Sequence, residues 1–226
     1  MNYAVKEIFY SLQGEGYWTG RPAVFIRFAG CNLWSGRERD RATAKGVCAR
    51  FCDTDFAGLD GELGSLYGTP GEMVAAAFSL WPKTLKPTMK PYVVLTGGEP
   101  TLQIDPPLCK VLRDAGFEIA VETNGRLPIV GEVDWVTVSP KAPDATMLGT
   151  RSGNEIKLAF PQEGAEPERF ETGFNFDHYW IQPIANSAVN YPNAEFYKNA
   201  EKAAAYCLAN PRWRLSTQVH KVVRLP

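Results

Sequence analysis

The sequence predicts an α/β fold, a partial (open) parallel β/α barrel with about six to seven strands and few helices. Three observations carry this. Short runs rich in β-branched and aromatic residues recur along the chain. Helical patterns with clear start and stop signals separate some of them. The helices are too few to complete the eightfold alternation of a closed barrel. At 226 residues the chain can bury one sizeable core. It reads as a single domain over residues 1–226, with an inserted loop at 32–47.

The predicted strands are 24–28, 92–96, 117–121, 135–138, 155–159, 178–182 and 215–219. The first predicted helix starts at Thr69-Pro70-Gly71-Glu72, a capping box with proline at the first helical position. Its apolar stripe is Met73, Val74, Ala77 and Leu80. The second starts at Asp105-Pro106-Pro107, carries Leu108, Val111, Leu112 and Ala115, and stops at Gly116. The third starts near Asn193, carries Phe196, Ala200, Ala203, Ala204, Cys207 and Leu208, and stops before Pro211. Residues 32–47 and 54–69 lack apolar periodicity and read as loops.

Composition excludes several classes. A net charge of -1 gives no basic field for nucleic acid or an anionic membrane. No apolar run is long enough to span a bilayer. The start, Met1 to Glu7, carries no apolar signal core, so a cytoplasmic location is expected.

Five cysteines argue against a pure disulfide framework. Cys109 and Cys207 lie on apolar helical stripes and read as core packing. Cys31, Cys48 and Cys52 are clustered. In a reducing compartment such a group suits zinc or an iron–sulfur cluster, or three buried thiols without metal. Three thiolates on a four-iron cluster leave one iron open. The nearest alternative fourth ligands, His178 and His220, are remote in sequence.

Other polar residues interrupt apolar strands. Arg27 within 24–28 reads as the partner of an internal carboxylate or as a bidentate clamp on a substrate carboxylate. Gly97 and Gly98 end a strand where side-chain-free backbone allows close approach, and Glu99 can accept from an ammonium group or stay solvated. Asp53-Thr54 reads by itself as a simple turn.

The segments Ala29-Gly30-Cys31-Asn32-Leu33 and Phe51-Cys52-Asp53-Thr54 resemble the cluster loop of radical S-adenosylmethionine (SAM) enzymes. Leu95-Thr96-Gly97-Gly98-Glu99-Pro100 resembles their Gly-Gly-Glu-Pro motif. The start, Ile8-Phe9-Tyr10-Ser11-Leu12-Gln13-Gly14-Glu15-Gly16, is similar to the 7-carboxy-7-deazaguanine synthases of 7-deazapurine and queuosine biosynthesis. Glu122-Thr123-Asn124-Gly125, Ser139-Pro140-Lys141 and the ending from His220 to Pro226 extend the likeness over nearly the whole chain.

That resemblance implies a carbon–nitrogen lyase with a radical SAM type of open barrel. It would contract 6-carboxy-5,6,7,8-tetrahydropterin to 7-carboxy-7-deazaguanine with loss of ammonia. The implied cofactors are a [4Fe–4S] cluster on Cys31, Cys48 and Cys52, SAM, and Mg2+ on Thr54. No general acid or base is implied, because the cofactor supplies the radical chemistry. Thr96, Gly97, Gly98, Glu99, Ser139, Lys141 and Gln182 are the implied SAM contacts. Leu12, Gln13, Gly14, Glu15, Arg27, Glu122, His220 and Pro226 are the implied substrate contacts, the last through a terminal carboxylate. An electron donor such as flavodoxin and a homodimer are further implications.

One departure stands out. Sixteen residues separate Cys31 from Cys48 and three separate Cys48 from Cys52, where the superfamily's second gap is usually one residue shorter. A long first gap costs little, because loop-closure entropy grows slowly with length. Positions four apart can share a helical face, so the second gap is compatible with one cluster. The rival readings are a glycyl-radical activating enzyme and a non-enzymatic zinc or iron–sulfur module. Bound zinc without sulfide would mark the module.

Overall fold

The computed structural model describes residues 2–83, 90–185 and 191–226. Among these, nine strands form one open sheet: β1 (Tyr3–Leu12), β2 (Pro22–Phe28), β3 (Ser65–Tyr67), β4 (Tyr92–Gly97), β5 (Glu118–Thr123), β6 (Trp135–Val138), β7 (Ser152–Phe160), β8 (Asn175–Pro183) and β9 (Trp213–Leu215). Their order is β3-β1-β2-β4-β5-β6-β7-β8-β9. From β2 through β9 the neighbours run parallel. β1 lies antiparallel to both β2 and β3.

The helices are α1 (Pro70–Leu80), α2 (Pro106–Asp114), α3 (Ala194–Ala209) and a single turn, α4 (Val219–Val222). The start of α1 is a full capping box, with Thr69 accepting from the Glu72 N–H and Glu72 accepting from the Thr69 N–H. Asp105 and Asn193 cap α2 and α3 through the N–H groups of Leu108 and Phe196. The crossovers from β5 to β6 and from β6 to β7 have no α-helix, so the barrel stays short of helices and open.

Strand alternation divides the molecule. Val24, Ile26 and Phe28 of β2 point outward and pack with Met73, Leu108 and Leu112 of α1 and α2. A second outer core joins Ile156, Leu158, Tyr179 and Ile181 to Ala203 of α3. Each such fully buried aliphatic side chain contributes about 2 kcal/mol. The opposite faces look into the barrel. Near the strand starts they are sealed by Tyr92, Ala120, Trp18 and Trp135. Arg21 lies over the rings of Trp18 and Tyr92 and makes a bidentate pair with Glu118, at 2.9 and 2.6 Å. Among the described residues the interior therefore opens toward the strand ends.

The sheet exceeds the expected six to seven strands, and three differences have physical causes. β1 was not expected, because Lys6 and Glu7 break its apolar alternation. Lys6 is nevertheless buried, paired with Asp55 at 2.8 Å and Asp60 at 2.6 Å. β3 lies in the expected loop 54–69 as a largely exposed edge strand held by β1. The expected strand 215–219 ends at Leu215. The Val219 N–H donates instead to Gly14 O at 2.9 Å, and His220 sits on α4 rather than on a strand. Cys109 is buried on α2, and Cys207 packs against the second core from α3.

Candidate active site

A cleft of about 600 Å³ opens at the carboxyl ends of the parallel strands, where α/β folds of this kind bind ligands. Cys31, Cys48 and Cys52 all line it. Cys31 follows β2, and the Leu33 N–H reaches its sulfur at 3.5 Å. Burial raises the pKa of this thiol, and the N–H groups of Leu33 and Trp34 pull it back.

The long first gap closes on itself. The Gly46 N–H donates to Leu33 O at 3.2 Å, so residues 34–45 form a side excursion whose two ends meet. Val47 is pinned to Ala142 O at 3.1 Å. The chain then makes a 3-10 turn, Val47–Arg50, and the Cys52 N–H donates to Cys48 O at 2.7 Å. One helical turn thus joins the last two cysteines and absorbs the three-residue gap. Cys31 and Cys52 pack against a small core of Trp34, Ala49 and Phe56.

Burial pushes the Cys48 thiol up to about 11, while the nearby Lys141 ammonium acts to lower it. No group of three His, Cys, Asp or Glu side chains among the described residues closes around a single metal ion. Three cysteine thiols on the wall of one cleft are the donor set of a four-iron cluster with one iron left open.

Thr96, Gly97 and Gly98 line the cleft beside the cysteines. The glycines are required by backbone packing more than by a ligand. A Cβ at Gly97 would stand 2.3 Å from Phe28 O, and one at Gly98 would stand 2.0 Å from Gly30 O. Glu99 is engaged by the protein on every side. It is fully buried and does not line the cleft. Its carboxylate accepts from the hydroxyls of Thr101 and Thr123, both at 2.6 Å, and from the N–H groups of Thr101 and Asn124 at 3.1 and 2.8 Å. Its work is to lock β4 to β5. A buried carboxylate needs such a full set of donors.

Ser139 and Lys141 follow β6. Lys141 donates to Ser139 O at 2.8 Å and to the Ser139 hydroxyl. Burial lowers the lysine's pKa.

The rest of the lining is a polar lattice. Arg27 donates through Nε to Glu7 at 2.6 Å, and its guanidinium lies 5.4 Å from the centre of the Phe9 ring. Its two terminal nitrogens have no hydrogen-bond partner among the described residues, so the pairing with Glu7 uses only one edge of the guanidinium. Gln13 donates to Glu122 at 2.7 Å. Lys157 donates to Glu122 at 3.2 Å and also to Glu15. Glu15 accepts further from Gln182 at 3.0 Å and Gln218 at 2.8 Å.

Burial opposes the charge on Glu15, but Lys157 holds its pKa down to about 2. Burial likewise disfavours the Lys157 ammonium, and Glu122, Glu15 and Glu155 overcome that and raise its pKa. Lys157 was not among the expected site residues. Its signal was present, since it interrupts Ile156-Lys157-Leu158 as Arg27 interrupts its own strand. Gln182 lies on this lattice through Glu15.

His220 closes on the Gly14 backbone. A Cβ at Gly14 would meet its Nδ1 at 1.9 Å. Burial lowers the imidazole's pKa, with Glu15 acting against it. Leu12 and Pro226 also line the cleft, and Pro226 O accepts from the Ser11 hydroxyl at 2.8 Å. Thr54 lines the cleft with no hydrogen-bond partner for its hydroxyl among the described residues. Asp53 is paired with Lys221 of α4.

No family model matches the chain. It is 49% identical over 226 residues to the 7-carboxy-7-deazaguanine synthase of Burkholderia multivorans, with 100% of both chains covered. It is 51% identical, again over 226 residues and 100% of both chains, to the synthase of that name from Caulobacter vibrioides. Among solved structures, the crystal structure of QueE from Escherichia coli matches with a TM-score of 0.69 at 27% identity, covering 97% of this chain and 95% of that one.

Proposed function

Because this chain belongs to the 7-carboxy-7-deazaguanine synthase family, we propose that its cleft performs the family reaction with the residues described above. The enzyme is a radical SAM lyase. It contracts 6-carboxy-5,6,7,8-tetrahydropterin to 7-carboxy-7-deazaguanine with loss of ammonia, in queuosine biosynthesis. The observation that carries the residue assignment is that one cleft is lined by the three cysteines and by Arg27, Glu122 and His220 together.

When bound, the [4Fe–4S] cluster and SAM supply the one-electron chemistry that removes a hydrogen atom from the substrate. Cys31, Cys48 and Cys52 hold the cluster. Thr96, Gly97, Gly98, Ser139 and Lys141 bind SAM, and Gln182 contributes through the Glu15 lattice. Glu99 acts behind them, through Thr123 and Asn124. The free nitrogens of Arg27 clamp the substrate carboxylate in a bidentate pair. Glu122, anchored by Gln13 and Lys157, accepts from the N–H groups of the pterin ring. Leu12, Gln13, Gly14 and Glu15 shape the ring's slot, and His220 and Pro226 close it. The walls exclude water and hold the ring in one orientation while it contracts.

Mg2+ completes this reading. It keeps most of its ligands as water or substrate oxygen and needs few from the protein. The unpartnered Thr54 hydroxyl fits that demand. Thr54→Val is expected to remove the stimulation of activity by Mg2+, a loss of about 10-fold. Rates measured with and without added Mg2+ check it, and a variant that still responds like the wild type refutes the assignment.

The electron comes from a donor such as flavodoxin, and the enzyme works in the cytoplasm as a homodimer. Among the described residues no helix is long and apolar enough to cross a membrane. The test of the whole reading is anaerobic reconstitution with iron and sulfide, then mass spectrometry after adding SAM, reductant, Mg2+ and 6-carboxytetrahydropterin. Product that requires both SAM and the pterin is expected. Formation of 5′-deoxyadenosine without that product would overturn the substrate assignment.

A further inference from the structure

The excursion between the first two cysteines carries a side chain that reaches back to the last two. Arg41 lies on a 3-10 turn, Glu38–Thr43. Its Nη1 donates to two carbonyl oxygens, that of Ala49 and, at 3.2 Å, that of Cys52. Its Nε donates to Glu38 at 2.8 Å. Its guanidinium carbon stands 4.8 Å from the centre of the Trp34 ring. Trp34 belongs to the small core against which Cys31 and Cys52 pack. One side chain therefore touches both the backbone of the Cys48–Cys52 turn and the ring beside the first cysteine.

These contacts meet a specific need. A short helical turn leaves its last carbonyls without intrahelical partners, and a nearby cation can satisfy them. The turn closes through its own bonds to Cys48 O, and the carbonyls of Ala49 and Cys52 are the ones Arg41 satisfies. Arginine alone among the cations offers a planar fork of donors and a face that stacks on an aromatic ring.

We propose that Arg41 is a positioning residue for the iron–sulfur cluster: it braces the Cys48–Cys52 turn from outside and fixes a positive charge beside Cys52. The brace sets how firmly the three thiolates are held. The charge favours the reduced state, because the added electron is attracted by a nearby cation. The long gap is then the source of a supporting residue as well as a spacer. This inference rests on the three cysteines holding the cluster.

The test compares the full-length wild type with Arg41→Met and Arg41→Lys, each reconstituted without oxygen. Circular dichroism before reconstitution checks that the fold is kept. Arg41→Met is expected to bind less iron and sulfide per chain and to release iron to a chelator about 10-fold faster. Its midpoint potential is expected to move to a more negative value. Arg41→Lys keeps the charge but loses the fork and the stacking. Its potential is expected to stay near that of the wild type while its iron release is faster.

Wild-type release rates and potentials in both variants would overturn the proposal. If Arg41→Met gives no folded protein, Arg41→Lys decides, since release at the wild-type rate there also overturns it. Failure of the wild type itself to assemble a four-iron cluster would overturn the cysteine assignment and, with it, the brace.

Discussion

Lys157→Met is expected to cost about 3 kcal/mol or more of stability at neutral pH and to lower kcat/KM about 100-fold. Lys157 is the cation common to Glu15 and Glu122. Its removal leaves both carboxylates in the barrel without a counter-charge, next to Glu155, which is buried and held by Thr137 and the Tyr17 N–H. His220 and Lys141 also face this group, but burial lowers the pKa of each and weakens both as replacements.

The pH dependence of stability should change sign. In the wild type the Glu15 pKa is depressed to about 2. Its contribution is present above the unfolded value of 4.5 and is lost only as pH falls through the folded one. Without Lys157, burial and the neighbouring carboxylates raise the folded pKa above the unfolded value. The contribution is then present at low pH and lost as pH rises. Urea midpoints from about pH 5 to about pH 8 would fall in the variant and show no such fall from Glu15 in the wild type. Lys157→Arg should recover most of the loss. A second change, Glu15→Gln, should recover stability in the methionine background while destabilising the wild type, the coupling that a shared ion pair produces. Equal midpoints for wild type and Lys157→Met across this range would refute the role.

The residues most legible from sequence were those whose local chemistry and final position agree. Thr69, Asp105 and Asn193 announce helices because capping is local, and those helices start where expected. The strands 92–96 and 135–138 announce themselves by apolar and β-branched content, and both lie in the middle of the sheet. The illegible residues are those whose partners come from far along the chain. Lys6 sits buried in β1 only because Asp55 and Asp60, some fifty residues on, pair with it. Lys157 reads as a strand interruption until Glu15 and Glu122 surround it. Val219 reads as strand until Gly14 takes its N–H. Glu99 differs in kind. Its motif is plain, yet the motif does not say whether the carboxylate faces a ligand or the neighbouring strand, and here Thr123 and Asn124 claim it. The cysteine spacing looked least regular, yet the Leu33 and Gly46 contact makes the length of the excursion irrelevant to where Cys48 arrives.

Gly98→Ala is expected to cost about 3 kcal/mol or more, lowering Tm by about 6 °C or more, and to impair cluster assembly. The added Cβ would stand 2.0 Å from Gly30 O, 2.6 Å from Gly30 C and 3.0 Å from Cys31 Cβ. Backbone supplies the two closest of these obstacles, so no rotamer change relieves them. Relief requires the end of β4 to move away from the loop that carries Cys31. That movement strains the Gly98 N–H bond to Phe28 O at 3.2 Å and the Glu99 N–H bond to Gly30 O at 2.9 Å. Cys31 would shift away from the turn that carries Cys48 and Cys52, and the cluster would lose a corner. Gly14→Ala gives the contrasting case. There the two closest obstacles are atoms of the His220 ring, which can swing aside, and the third is its Cβ at 2.9 Å, which a small shift of the single-turn α4 relieves, so fold and cluster should survive while the pterin KM rises. Iron and sulfide content, melting temperature and pterin KM, measured on both variants, separate the two. A Gly98→Ala protein with wild-type melting and full cluster content would show that the close approach of β4 to Gly30 does not set the position of Cys31.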